Sequence, residues 1–246
     1  MKRLGWGWWL LLALLLPLCA VAQLPSTLLG WMLENRSQGL VKLAAADGTL
    51  WHGSGQLAIG DQALLERLRW QWQPRELLQG RFTYRLEADQ GGAMLRLGWK
   101  RLELQQLELG FAAAPLVGLD RRLQPFQLGG RIRLASPGLT VSPSQIDGGL
   151  TVDWQQASSP LVPTLPQLGD YRAVLSPQGD SWQFQVQTLN GQLQLDGGGN
   201  WSPKTGLHGE IGVRAAPGAE NLVGPLLAQI GPGAPTERRR LKLNVR

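Results

Sequence analysis

The sequence predicts a mainly β protein: a long curved antiparallel sheet of half-pipe or open barrel-like form, with one N-terminal transmembrane helix and a few short helices. Three observations point there. A Leu-x-Gly-x-apolar pattern with the strand period of two recurs along the chain. The 246 residues include 32 glycines and 16 prolines, which suits many turns better than a helical bundle. The stretch from Leu4 to Leu33 carries no charged residue, as a membrane segment requires.

At the N-terminus, Met1-Lys2-Arg3 is a short basic start. Leu4 to Ala22, as a helix rising ~1.5 Å per residue, spans about 28 Å, close to a bilayer core. The basic residues before it place the N-terminus in the cytoplasm and the remainder outside, and Trp6, Trp8 and Trp9 suit an interfacial belt. Ala20-Val21-Ala22 before Gln23 also has the small-x-small form of a signal-peptidase site. The length favours a retained anchor over residues 1–24, with residues 25–246 forming an exported, periplasmic β-rich domain. A lipoprotein reading through Cys19 is weak, because Leu18 is larger than such a site wants. A single cysteine excludes an internal disulfide framework.

Pro25 to Gln38 reads as a short amphipathic helix, with Leu28, Leu29, Met32 and Leu33 at helical spacing. Val41-Lys42-Leu43 then leads into an Asp47-Gly48 turn and the strand Trp51-x-Gly53-x-Gly55-x-Leu57. Comparable copies centre on Gly80, Gly130, Gly148, Gly191 and Gly209. In each the glycine falls on the apolar face, where a missing side chain permits close approach, a bulge or a bend.

Leu68 to Gln73 alternates cleanly, with Leu68, Trp70 and Trp72 on the buried face. Arg81 to Ala88 and Ala93 to Trp99 read as strands joined by Gly91-Gly92. Leu102 to Leu104 and Leu107 to Leu109 are separated by Gln105-Gln106, a bulge signal. Pro115 to Leu123 breaks the β pattern as a short helix or Ω-like turn, and a boundary between two halves is expected near 112–127. Further strands follow over Gly129 to Ala135, Gly149 to Gln155, Asp170 to Leu175, Ser181 to Leu189, Gly191 to Asp196 and Gly209 to Ala215. Asp147-Gly148, Asn190-Gly191 and Asp196-Gly197 supply hairpin-type turns, and Ser158 to Pro166 is a Pro/Ser loop. Glu220 to Ile230 reads as a helix starting at or near Pro225. Leu241 to Val245 closes as a strand.

The formal charge is +6, but the excess sits at the ends. Lys2 and Arg3, with five basic residues against Glu237 in the tail, account for all of it. The body is balanced and has no basic stripe with interleaved aromatics, so nucleic acid is a poor partner. Arg238-Arg239-Arg240-Leu241-Lys242-Leu243 reads as a final strand with a solvated entry; the alternative is contact with acidic lipid headgroups or a partner.

Catalytic chemistry finds no support. The two histidines, His52 and His208, and one cysteine are far apart in sequence and build no credible metal site. No Gly-x-Ser-x-Gly elbow, P-loop or His-Glu-x-x-His occurs. Asp47, Asp147 and Asp196 precede glycines, where turn chemistry explains them. His52 alternates with Trp51 and reads as a surface residue. No cofactor is expected. Trp51, Trp70, Trp72, Trp99, Trp154, Trp182 and Trp201 read as sheet-face packing; the alternative is an open apolar trough for an acyl chain or a partner strand. The candidate apolar face is Trp70, Trp72, Phe82 and Tyr84.

Together, the anchor, the motif Gly48-Thr49-Leu50-Trp51-His52-Gly53, the Leu-x-Gly-x-apolar hairpins, the late helix and the basic-apolar final strand resemble the type II secretion system protein N family, itself similar to AsmA-like envelope proteins. The resemblance covers the whole chain and rests most on Gly48, Thr49, Leu50, Trp51 and Gly53. It implies a non-enzymatic, single-pass protein of the bacterial inner membrane, accessory to the machine that exports folded proteins, whose partners are other secretion subunits. The AsmA likeness implies the alternative of a periplasmic trough that binds lipid or another hydrophobe. The Pro-rich stretch from Ser158 to Gly169 departs from the family pattern, so no contact surface is carried over there.

Overall fold

The structure, a computed structural model, describes residues 15–16, 19–118, 121–142, 146–202, 204–234 and 236–245. Fourteen strands form one antiparallel sheet. They are β1 (Val41–Gly48), β2 (His52–Ile59), β3 (Gln62–Trp72), β4 (Phe82–Ala88), β5 (Gly91–Leu97), β6 (Leu102–Ala112) and β7 (Gly129–Val141). The second half comprises β8 (Ile146–Gly148), β9 (Leu150–Ser158), β10 (Gly169–Gln178), β11 (Ser181–Gly191), β12 (Leu193–Ser202), β13 (Gly206–Ala215) and β14 (Arg239–Val245). Each strand pairs with its sequence neighbour, except that short β8 and then β9 both pair with β7. The sheet is open, with β1 and β14 as its edges.

Helices α1 (Thr27–Arg36) and α2 (Glu220–Ile230) flank the sheet. Short 3-10 helices occupy Pro74–Gln79, Ala114–Gly118 and Arg121–Phe126. The last two lie in the stretch expected to break the β pattern, between β6 and β7, which pair from Leu102↔Val141 to Ala112↔Arg131. The anchor expected over 1–24 falls mostly outside the described residues. Of it, Leu15, Leu16 and 19–22 are helical, and among the described residues no helix is long and apolar enough to cross a membrane.

Several local expectations change. The copies at Gly80, Gly148 and Gly191 straddle two elements, because those glycines have positive φ and end one of them. Gly91-Gly92 opens β5 instead of turning into it. Asp147-Gly148 belongs to β8, and Asp196-Gly197 lies inside β12. Strand β7 runs on past Ala135 through Ser136-Pro137-Gly138. Pro137 offers no N–H, and it falls level with Gln106, the β6 residue at φ 51 where pairing with β5 slips by one. Proline is tolerated in an inner strand where a bulge has already interrupted the ladder. Helix α1 buries no residue, so its apolar side chains do not form a packed face. Helix α2 has the expected bounds, but Pro225 sits inside it.

The largest buried cluster gathers at one end of the strands. Val223, Leu226 and Leu227 of α2 pack with Ala157, Leu168, Tyr171, Leu193 and Val213. Val162, from the Pro/Ser loop, and Leu168, just after it, are 1% and 2% exposed, so the loop contributes to the core. Arg239, read as solvated, is also buried. Its Nη1 donates to the Leu227 carbonyl at 2.6 Å and its Nη2 to the Gly233 carbonyl at 2.7 Å. The Leu227 carbonyl also accepts the Gly231 N–H, so the guanidinium adds a second donor in the last turn of α2, where a cation complements the helix dipole, and ties that turn to Gly233.

Candidate functional site

The motif residues build a knot at the opposite end of the strands, between β1 and β2. Gly48 has φ +92, which a side chain would strain. The Thr49 N–H donates to the His52 carbonyl at 2.8 Å, and Thr49 Oγ1 accepts the N–H groups of Trp51 and His52 at 3.3 Å. The threonine hydroxyl thus holds a tight reversal that delivers Trp51 to the strand ends. His52 is exposed, with Nδ1 3.4 Å from Thr49 Oγ1.

The same residues tie the N-terminal segment to the sheet. The Trp51 indole N–H donates to the Val21 carbonyl at 2.8 Å. The Leu50 N–H donates to the Leu24 carbonyl at 2.8 Å, the Ser26 N–H donates to the Gly48 carbonyl at 3.2 Å, and Pro25 forms a bridge with Thr49. The motif is therefore where residues 21–26 are attached to the sheet.

Gly53 lies opposite Trp70 in register. The Trp70 ring covers it so closely that a Cβ would fall 2.6 Å from Cζ2. Trp70 is 5% exposed, and its indole N–H donates to the Thr49 carbonyl at 3.0 Å. An aromatic ring laid over a cross-strand glycine recovers the packing that the glycine lacks. Trp72 stands 4.9 Å from Trp51 and 6.3 Å from Phe82, centroid to centroid, and pairs with Tyr84. Burial raises the Tyr84 phenol above its usual pKa. Trp70 and Trp72 thus adjoin the motif, and Phe82 and Tyr84 adjoin Trp72.

A second apolar site lies over β9–β14. It is a trough of about 440 Å³ whose lining residues, including Leu150, Leu175, Trp182, Phe184, Trp201 and Leu243, are all apolar. The Phe184 ring that lines it lies over two glycines: a Cβ on Gly199 would meet Phe184 Cε1 at 2.8 Å, and one on Gly209 would meet Cζ at 2.9 Å. Sequence reasoning offered an open trough as the alternative role of the seven tryptophans, and two of them, Trp182 and Trp201, line this one. A further signal for it was the Gly197-Gly198-Gly199 run facing the alternating Trp182-x-Phe184.

The two sheet edges differ. The β1 edge is bulged at Ala45 (φ 49), bridged by 24–26, and packed by α1, where a Cβ on Gly30 would come within 3.4 Å of the Leu43 carbonyl. β14 pairs with β13 without a register shift from Arg239 to Val245. Among the described residues no strand pairs with its other side. Arg240 pairs with Glu210 at 3.5 Å, and the Arg238 guanidinium pairs with Asp196. Among the described residues no group of three His, Cys, Asp or Glu side chains could hold a metal ion.

A family model described as type II secretion system (T2SS), protein N, matches residues 39–244. Neither the curated proteins nor the solved structures contain a match.

Proposed function

The chain belongs to the type II secretion system protein N family and so has a role in type II secretion; from that premise we propose that it is a non-enzymatic, inner-membrane-anchored accessory subunit that docks a partner strand on β14. Its β-rich body lies in the periplasm. The unequal edges carry the reading: β1 is closed off by the bulge, the 24–26 segment and α1, while β14 is regular and unpaired on one side. An open edge offers a row of backbone donors and acceptors to an added strand. Arg240 and Lys242 repel a second copy of the same strand and favour a partner with Asp or Glu at alternate positions. Purification from detergent-solubilised membranes of the native host tests this. Other secretion subunits are expected to co-purify, and clean recovery of the chain alone contradicts it.

The wholly apolar trough favours a second reading, an AsmA-like site for an acyl chain. Organic extracts of the purified protein should then contain phospholipid or fatty acid, and Leu175→Lys should remove it. Lipid-free protein with a dry trough contradicts that reading.

A further inference from the structure

The end of the sheet that carries the motif knot also carries the β3–β4 connection 73–81 and the β5–β6 turn 98–101. Register places them together. Trp51 meets Trp72 at the end of β3, Phe82 pairs with Leu97, and Leu97 pairs with Leu102. From these two connections Leu78 and Trp99 project almost wholly into solvent, at 94% and 97% exposure. Packing within the chain explains neither residue, and Trp99 does not pack on a sheet face as its sequence pattern suggests. Leu77 and Phe82 beside them are also exposed. Arg75, Arg81, Lys100 and Arg101 belong to the same two connections and are exposed, Arg101 lying 3.9 Å from Glu103.

The β3–β4 connection is held firmly. Glu76 accepts the Thr83 hydroxyl at 2.5 Å and pairs with Arg96 at 3.2 Å, and Arg96 in turn donates to Gln105 at 2.8 Å. Leu77 and Leu78 therefore project from an ordered support. Two other turns at this end are polar. The β10–β11 and β12–β13 turns meet through the Asp180–Lys204 ion pair at 2.8 Å.

We propose that the connections 73–81 and 98–101 form a membrane-contact rim, with Leu78 and Trp99 dipping into the interface of an anionic phospholipid bilayer and the four basic residues meeting its headgroups. Scattered exposed apolar residues are ordinary. This rim differs because a Trp and a Leu at the tips of neighbouring connections share them with cations, the combination that interfaces favour. It is also the end at which Val21 is hydrogen-bonded to Trp51, so the uncharged stretch from Leu4 enters the body here. The rim rests on the reading of that stretch as an anchor. Body and anchor would then share one bilayer, and the sheet would stand with its motif end down.

The full chain, with Cys19→Ser, is reconstituted in phosphatidylethanolamine–phosphatidylglycerol vesicles. An environment-sensitive fluorophore is placed at Gln79→Cys or Lys100→Cys, with Asp61→Cys at the opposite end and Gln178→Cys on the polar turns as references. The rim predicts blue-shifted emission at 79 and 100, quenched by nitroxide-labelled lipid, and aqueous emission at 61 and 178. Adding Leu78→Ser and Trp99→Ser should abolish the shift while the chain stays with the vesicles. A chain that floats with the vesicles but reports aqueous emission at 79 and 100 overturns the rim and leaves the anchor standing. A chain that does not float overturns both.

Discussion

Gly53→Ala tests the packing of the motif most sharply. The new Cβ would lie 2.6 Å from Trp70 Cζ2 and 3.0 Å from Cε2, and closer still to the Asp47 carbonyl oxygen. The carbonyl belongs to the backbone of the paired strand and cannot rotate away. The ring is 5% exposed and hydrogen-bonded to the Thr49 carbonyl, so tilting it loses that bond. Overpacking of this kind costs about 1–3 kcal/mol, and the lost hydrogen bond about 1 kcal/mol more. Removing a glycine restricts the unfolded chain and returns about 0.5–1 kcal/mol, which leaves a net loss of about 1–3 kcal/mol. For a chain of this size that lowers Tm by about 3–10 °C. Gly224→Ala is the matched reference: it lies inside α2 with nothing within 4 Å of its Cβ, and should stabilise by about 0.5–1 kcal/mol. Thermal unfolding of the detergent-solubilised chain measures both. In a Trp70→Leu background the Gly53→Ala penalty should shrink by at least about 0.5 kcal/mol. An unchanged or raised Tm for Gly53→Ala, or strict additivity with Trp70→Leu, would refute the ring-over-glycine account.

Arg239→Met keeps the bulk but removes the hydrogen bonds to the Leu227 and Gly233 carbonyls, and should cost about 1–3 kcal/mol in denaturant unfolding, with loss of amide protection concentrated in α2. Glu76 is held below the usual carboxylate range by the Thr83 hydroxyl and then Arg96. Its depressed folded pKa means that its contribution is present above the unfolded pKa and lost as pH falls through the folded one. Amide exchange over 74–83 should therefore quicken, relative to the rest of the sheet, only below about pH 4.5. Glu76→Gln should show the quickened exchange already at pH 7. Trp51→Phe removes the hydrogen bond to Val21 and should increase limited proteolysis within 22–26 without moving the strands. Phe184→Ala uncovers Gly199 and Gly209 and should destabilise by about 3–5 kcal/mol.

Much of the fold is legible in local signals. The alternation Leu68-x-Trp70-x-Trp72 marks β3, Gln105-Gln106 marks its bulge in β6, and Leu222, Val223, Leu226, Leu227 and Ile230 mark α2. What escapes is whatever depends on a distant partner. Asp196-Gly197 has the form of a hairpin turn, yet its strand continues because Gly199 opposite Phe184 takes the ring in place of a side chain. Ser136-Pro137-Gly138 has the form of a break, yet Pro137 is accommodated by a bulge 31 positions earlier in sequence, at Gln106. Arg239 belongs to a basic run, and only the fold brings it beneath α2. The motif was legible as a unit, but its hydrogen bonds to 21–26 were not, since nothing in Trp51 or Leu50 names their carbonyl partners.

The central proposal, strand addition at β14, is tested most directly by a cross-linking map. A photoreactive residue is placed singly at Arg240, Leu241, Lys242 and Leu243 in cells that assemble the secretion machine, with Lys42 and Leu43 on β1 as references. An added antiparallel strand predicts that probes from both faces capture one secretion subunit, at consecutive sites running backward along its chain, while β1 captures none. Capture from the Leu241 and Leu243 face alone, or no capture along β14, would contradict edge pairing.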